Sequence, residues 1–173
     1  MQQKLPIEID PFRLAKSGLE LEGSLALPSM PRLSGLLLEN TGEVSIKMNF
    51  DTDVLGTPMM QGVFTAPVSL MCERCSMPMT YDLKVECLLG LIKIETQVEG
   101  LAEQYEPWII EGDDPIRLSA VVEDELILAL PLIPKHAHAC LPKEAWSSGE
   151  EIEESESEEK VSPFAVLAAL KKD

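Results

Sequence analysis

The sequence predicts an α+β domain: a curved, open-barrel-like antiparallel β-sheet of four or more strands, packed by one main helix, with short terminal helices. Three observations predict it. Apolar and polar residues alternate in four separate runs, at 19–27, 44–50, 64–72 and 79–89, which is the period of a half-buried strand. The last two runs flank a short loop, Cys72-Glu73-Arg74-Cys75, so they read as an antiparallel hairpin with that loop at its tip. One stretch alone, 115–130, carries a long helical apolar face.

Asp10-Pro11 has the form of a helix start, with Asp as N-cap and Pro at the first helical position. Ser17-Gly18 ends that helix, because Gly takes the left-handed cap without steric cost. Leu19, Leu21, Leu25 and Leu27 then share one face of a strand. Pro28 and Pro31 mark a turn, and Leu33, Leu36 and Leu37 give a short helical face before Gly42. Val44, Ile46, Met48 and Phe50 form a second strand face, followed by a loop over 51–56. From about Gly62, Phe64, Ala66, Val68, Leu70 and Cys72 share a face, while Pro67 falls on the other register and predicts an edge strand or a bulge. Met79, Tyr81, Leu83, Val85, Cys87 and Leu89 make the returning strand, with Cys87 expected in the core.

Residues 100–112 read as a polar connection holding Trp108. Asp114 then caps a helix with Pro115 in its first turn, running through Leu118, Val121, Val122, Leu126 and Ala129 to about Leu130, where Pro131 ends it. Pro131, Pro134 and Pro142 favour an extended path that carries 136–140 back over the sheet. The domain therefore spans 1–142. Residues 143–160 hold 8 acids between Glu144 and Glu159 and almost no apolar side chain, the composition of a disordered, self-repelling linker. Ser162-Pro163 caps a short helix over 161–173 with Phe164, Leu167 and Leu170 on one face, too short to stand alone and so a docking or partner-binding element.

Composition narrows the partners. The formal net charge is −16, from 30 acidic against 14 basic residues, which repels a phosphate backbone and argues against DNA and against unaided RNA binding. No apolar run is long and uninterrupted enough to span a membrane, and the N-terminus lacks the apolar core of a signal peptide. The expected location is cytoplasmic, with the four cysteines reduced.

Those cysteines carry the chemistry. Cys72 and Cys75 offer two thiolates from one tight loop; Cys140 with His138 or His136 would complete a tetrahedral zinc site stapling two distant segments. The bland counterpart is a set of buried or surface thiols holding no metal. A redox role for Cys72 and Cys75 needs a helix N-terminus at the first cysteine, and the flanks here are strands. Glu125 falls on the apolar face of the 115–130 helix, while Glu123 and Asp124 point elsewhere, so Glu125 needs an ion-pair partner, Arg74 or Arg117. No Gly-rich phosphate loop, H-E-x-x-H or G-x-S-x-G is present, so no catalytic residue and no small-molecule substrate are expected.

Four landmarks, in order along nearly the whole chain, resemble the YceD family of bacterial and chloroplast proteins. They are Asp10-Pro11, Cys72-Glu73-Arg74-Cys75, the block from Val122 through Glu123-Asp124-Glu125-Leu126 to Pro131, and Pro163-Phe164-Ala165-Val166-Leu167. The resemblance implies a non-enzymatic part in synthesis, processing or stability of 23S rRNA, hence in large ribosomal subunit biogenesis. Other branches carry further C-x-x-C cysteines after the E-D-E helix; this chain has His136, His138 and Cys140 there instead. The charge favours a basic ribosomal protein, an assembly factor or the large-subunit precursor as partner. The alternatives are a direct RNA-binding factor whose Arg74, Lys84, Lys135 and Lys143 share one face, and a zinc- or thiol-dependent regulatory module.

Overall fold

A computed structural model describes residues 5–142. The acidic linker expected at 143–160 and the helix expected at 161–173, with Phe164, Leu167 and Leu170, lie outside the described residues.

The chain runs through β1 (Glu8–Ile9), α1 (Pro11–Ser17), β2 (Glu20–Ala26), a 3-10 turn at Leu27–Ser29, α2 (Pro31–Ser34), β3 (Glu43–Thr52), β4 (Pro58–Met71) and β5 (Pro78–Ile92). A second 3-10 turn at Glu95–Gly100 leads to β6 (Glu106–Ile109), β7 (Ile116–Arg117) and α3 (Leu118–Leu128). The main sheet is open, in the order β2-β3-β4-β5-β6, and β1 pairs with β7 in a two-stranded ribbon. The first four strands are antiparallel neighbours, and β6 joins β5 in parallel.

Local chemistry explains α1. Asp10 accepts a hydrogen bond from the Arg13 N–H at 3.0 Å, and Gly18 closes the helix at φ 58°. In the sheet, the alternation puts Val44, Ile46, Met48 and Phe50 of β3 wholly out of water, with Met60 and Phe64 of β4 and Leu83 of β5 beside them. Each such side chain stabilises the fold by about 1.5–3 kcal/mol relative to exposure. Cys87 is buried on this same face; burial, then the nearby Glu125 charge, pushes its thiol up to about 12. It is a packing residue.

Three expectations need correction. The polar connection at 100–112 carries a strand, β6, whose short Glu106–Ile109 span lacks clean alternation because only Trp108 turns partly inward. The main helix starts at Leu118 rather than at Pro115, because Ile116 and Arg117 are taken up in pairing with Ile9 and Glu8. Pro67 does not mark an edge strand, since β4 lies between β3 and β5. The cost of its missing N–H is avoided locally: β3 pairs with β4 only as far as Thr65, so Pro67 sits beyond its reach and faces Asp82 of β5.

Candidate metal centre

The β4–β5 hairpin turns tightly at its tip. Ser76 adopts φ 56°, its N–H reaches the Cys72 carbonyl at 2.8 Å, and the Cys72 N–H reaches the Met77 carbonyl at 3.0 Å. This knuckle holds Cys72 and Cys75 toward one side. The proline-rich segment after α3 returns to it, and the Glu73 N–H donates to the Pro134 carbonyl at 2.9 Å. That contact sets the two segments side by side.

The ligand atoms of Cys72, Cys75, His136 and Cys140 then all lie within 4.8 Å of one another. Cys72 Sγ is 3.8 Å from Cys140 Sγ, and Cys75 Sγ is 3.4 Å from His136 Nδ1. A tetrahedron with zinc–sulfur bonds near 2.3 Å and a zinc–nitrogen bond near 2.0 Å has edges of about 3.8 and 3.5 Å, so the donor set fits zinc in both size and chemistry. Three thiolates and an imidazole would fill four positions and leave none open, the pattern of structural rather than catalytic zinc. Of the two histidines, His136 is in the set. His138 is exposed and packs its ring 4.8 Å from that of His136.

Electrostatics favour ligation. Burial raises the Cys72 thiol, but the backbone N–H groups of His136, Cys75 and Arg74 outweigh it and bring Cys72 down to about 5. Burial likewise opposes Cys140, and Arg74 overcomes it, lowering that thiol through a 3.0 Å bond from its Nε. Burial and the neighbouring Cys140 raise Cys75. The Cys140 and Cys72 thiols raise His136. The Arg74 cation at Cys140 and the N–H groups converging on Cys72 favour the thiolate, the form that binds a divalent ion.

Arg74 is the clamp of this centre. Besides Cys140 Sγ, its guanidinium donates to the His136 carbonyl at 3.1 Å and to the His138 carbonyl. It therefore does not pair with Glu125, contrary to expectation. Among the described residues Glu125 has no cationic partner, Arg117 included. Of the four cations expected on one basic face, Arg74 is committed to the cysteine cluster and Lys84 is paired with Glu86 at 2.5 Å; Lys135 is exposed and forms no ion pair among the described residues, and Lys143 lies outside them.

The buried acid of α3 is Glu123, although a helical wheel sets it off the apolar face. It is 4% exposed, and its Oε1 accepts from the N–H groups of Arg32 at 2.6 Å and Leu33 at 3.0 Å, while Oε2 meets the Arg32 side chain at 3.0 Å. The reason is tertiary. α2 covers the side of α3 that a helix lying on a sheet would leave to water. The only signal in the sequence was a cation in the first turn of a short proline-started helix, too common to identify a partner 91 positions away.

The profile described as "Large ribosomal RNA subunit accumulation protein YceD" matches residues 60–171, which include both halves of the cysteine–histidine cluster. The chain belongs to the YceD family. It is 33% identical over 168 residues to the Large ribosomal RNA subunit accumulation protein YceD of Haemophilus influenzae, covering 97% of each chain. No solved structure matches it. The likeness of this YceD-family chain to that relative thus extends over nearly its full length. No helix among the described residues is long and apolar enough to cross a membrane.

Proposed function

We propose that this chain is a non-enzymatic factor in the synthesis, processing or stability of 23S rRNA, and so in large ribosomal subunit biogenesis in the cytoplasm. It acts through a basic protein client or the precursor particle. Its Cys72, Cys75, His136 and Cys140 hold a structural zinc ion. The observation that carries the function is the near full-length likeness to a protein named for large ribosomal RNA subunit accumulation.

A protein client is supported by charge. At −16 overall, the chain attracts basic polypeptide and repels phosphate. Five of the nine described cations are already engaged: Arg32 with Glu123 and Asp124, Lys47 with Glu20, Lys84 with Glu86, Lys93 with Asp113, and Arg74 at the cysteine cluster, while Arg13, Lys16, Arg117 and Lys135 form no ion pair among the described residues. Direct RNA binding would need several of them free to replace counterions.

Sedimentation of lysate at low and moderate salt, blotting for this protein, tests the proposal. Co-migration with immature large subunits that survives moderate salt is the expected result. Recovery of protein-free 23S rRNA with a steep salt dependence would overturn the protein-client mechanism. Confinement to the top of the gradient at both salts would overturn action on the particle.

A further inference from the structure

Between the edge strand β6 and α3 runs a groove of about 420 Å³. Leu89 and Val121 form its buried floor, and half-buried Trp108 and exposed Leu128 stand at its walls. Three carboxylates line it as well: Glu106, Asp124 and Glu125. Asp124 is held by Arg32 at 2.6 Å, but among the described residues Glu106 and Glu125 meet no cation.

Two like charges facing an apolar floor are costly unless a cation joins them. Glu125 registers that cost: burial, then Glu106 and Asp124, push its carboxyl up. Indole, aliphatic wall and paired carboxylates are together complementary to one side chain. A guanidinium stacks on tryptophan, its forked donors reach carboxylates two at a time, and its apolar stem suits an apolar floor. The same carboxylates repel nucleic-acid phosphate.

We infer that the β6–α3 groove is the docking site for an arginine side chain, with an adjoining apolar residue, of a basic polypeptide partner. The inference rests on the protein-client reading above and assigns that client its point of entry. Glu106 and Glu125 supply the charge, Trp108 the stacking surface, and Leu128 the apolar contact.

The test uses the full chain with Trp146→Phe, which leaves Trp108 as the only tryptophan. A capped peptide of alternating leucine and arginine is titrated while Trp108 fluorescence is followed, alongside a twin in which citrulline replaces each arginine. The arginine peptide is expected to shift the emission saturably, with affinity about tenfold or more above that of its twin. Glu106→Gln/Glu125→Gln should remove the same factor. Ala120→Lys, which places a cation in the groove, should abolish binding in a folded protein. Equal binding of the twin, equal binding by the double variant, or no change at Trp108 overturns the site. So does a cross-link from Leu128→Cys to residues 161–173 of the same chain, which would make the groove an internal contact. Basic large-subunit proteins captured by wild type and double variant alike would overturn the groove and leave the client reading standing. No capture by wild type would remove both.

Discussion

Cys72 Sγ and Cys140 Sγ lie 3.8 Å apart although 68 positions separate them in the chain. No local spacing rule requires that approach. It depends on a hairpin tip and a proline-directed return segment meeting at the Glu73–Pro134 hydrogen bond. Two thiols, a third from the knuckle and an imidazole then share a volume fit for one zinc ion.

Metal analysis of the purified protein should find one zinc per chain. Cys140→Ser should lose it and melt at a lower temperature, while His138→Ala should keep it, because His138 stands outside the donor set. Arg74→Ala should weaken metal affinity by about 10–100-fold, the usual cost of removing a group that orients a ligand. Competition with a chromogenic chelator reads all three. Full retention of zinc by Cys140→Ser would falsify the assignment.

Glu123→Ala strands the N–H groups of Arg32 and Leu33 and unpairs the Arg32 side chain. The expected loss is about 2–4 kcal/mol in urea unfolding, by the cost of breaking charged hydrogen bonds at a buried acid. Arg32→Ala should cost less, since its guanidinium is more than half exposed and the backbone donors still satisfy the acid. If both variants lose the same amount, the backbone bonds are not the main contribution.

Glu125 gives the pH dependence its sign. Its folded carboxyl is raised by burial, then by Glu106 and Asp124. The folded state therefore binds its proton more tightly than the unfolded chain, and the stability this confers is present in acid and lost as pH rises through the folded value. Glu125→Gln should accordingly gain stability relative to wild type at neutral pH and lose that advantage below the ordinary carboxylate range. Asp53 works the other way. Its carboxyl is held low chiefly by the Thr57 N–H, with the Tyr105 hydroxyl and the Leu55 N–H adding to it, so its contribution is present near neutrality and fades in acid. Melting curves of E125Q and D53N across pH 3–8 should diverge from wild type in opposite directions.

Gly90 sits where β5 passes under the segment leading to β6. A Cβ there would lie 2.6 Å from Leu101 Cδ1 and 3.1 Å from Tyr105 Cβ. Gly90→Ala should cost about 1–3 kcal/mol through overpacking, measured as a lower denaturation midpoint with an unchanged slope. An unaffected midpoint would mean that Leu101 moves aside freely.

The elements that were legible in the sequence share a property: their cause is local. Asp10-Pro11 and Gly18 bound α1 because capping and φ preference act within a few residues. The β3, β4 and β5 faces follow from period-two alternation, and the C-x-x-C loop falls at a hairpin tip because the runs on either side can pair antiparallel. Misplaced elements are those whose cause is remote. Ile116 and Arg117 have a helix-start signal just before them, yet a partner strand more than a hundred residues earlier takes them into β7. Glu123 is buried although a wheel sets it off the apolar face, because α2 covers that flank of α3, while Glu125 stays half-buried at the groove on the other flank.

Composition, alternation and motif order alone were enough to establish an acidic α+β chain with a cysteine knuckle and the landmarks of its family, because each is written in neighbouring residues. Which histidine joins the cysteines, which acid is buried and where Arg74 points were decided by tertiary structure. Those choices depend on distances between segments 60 to 90 positions apart, and burial and charge pairing are energies of the assembled surface rather than of any stretch of chain.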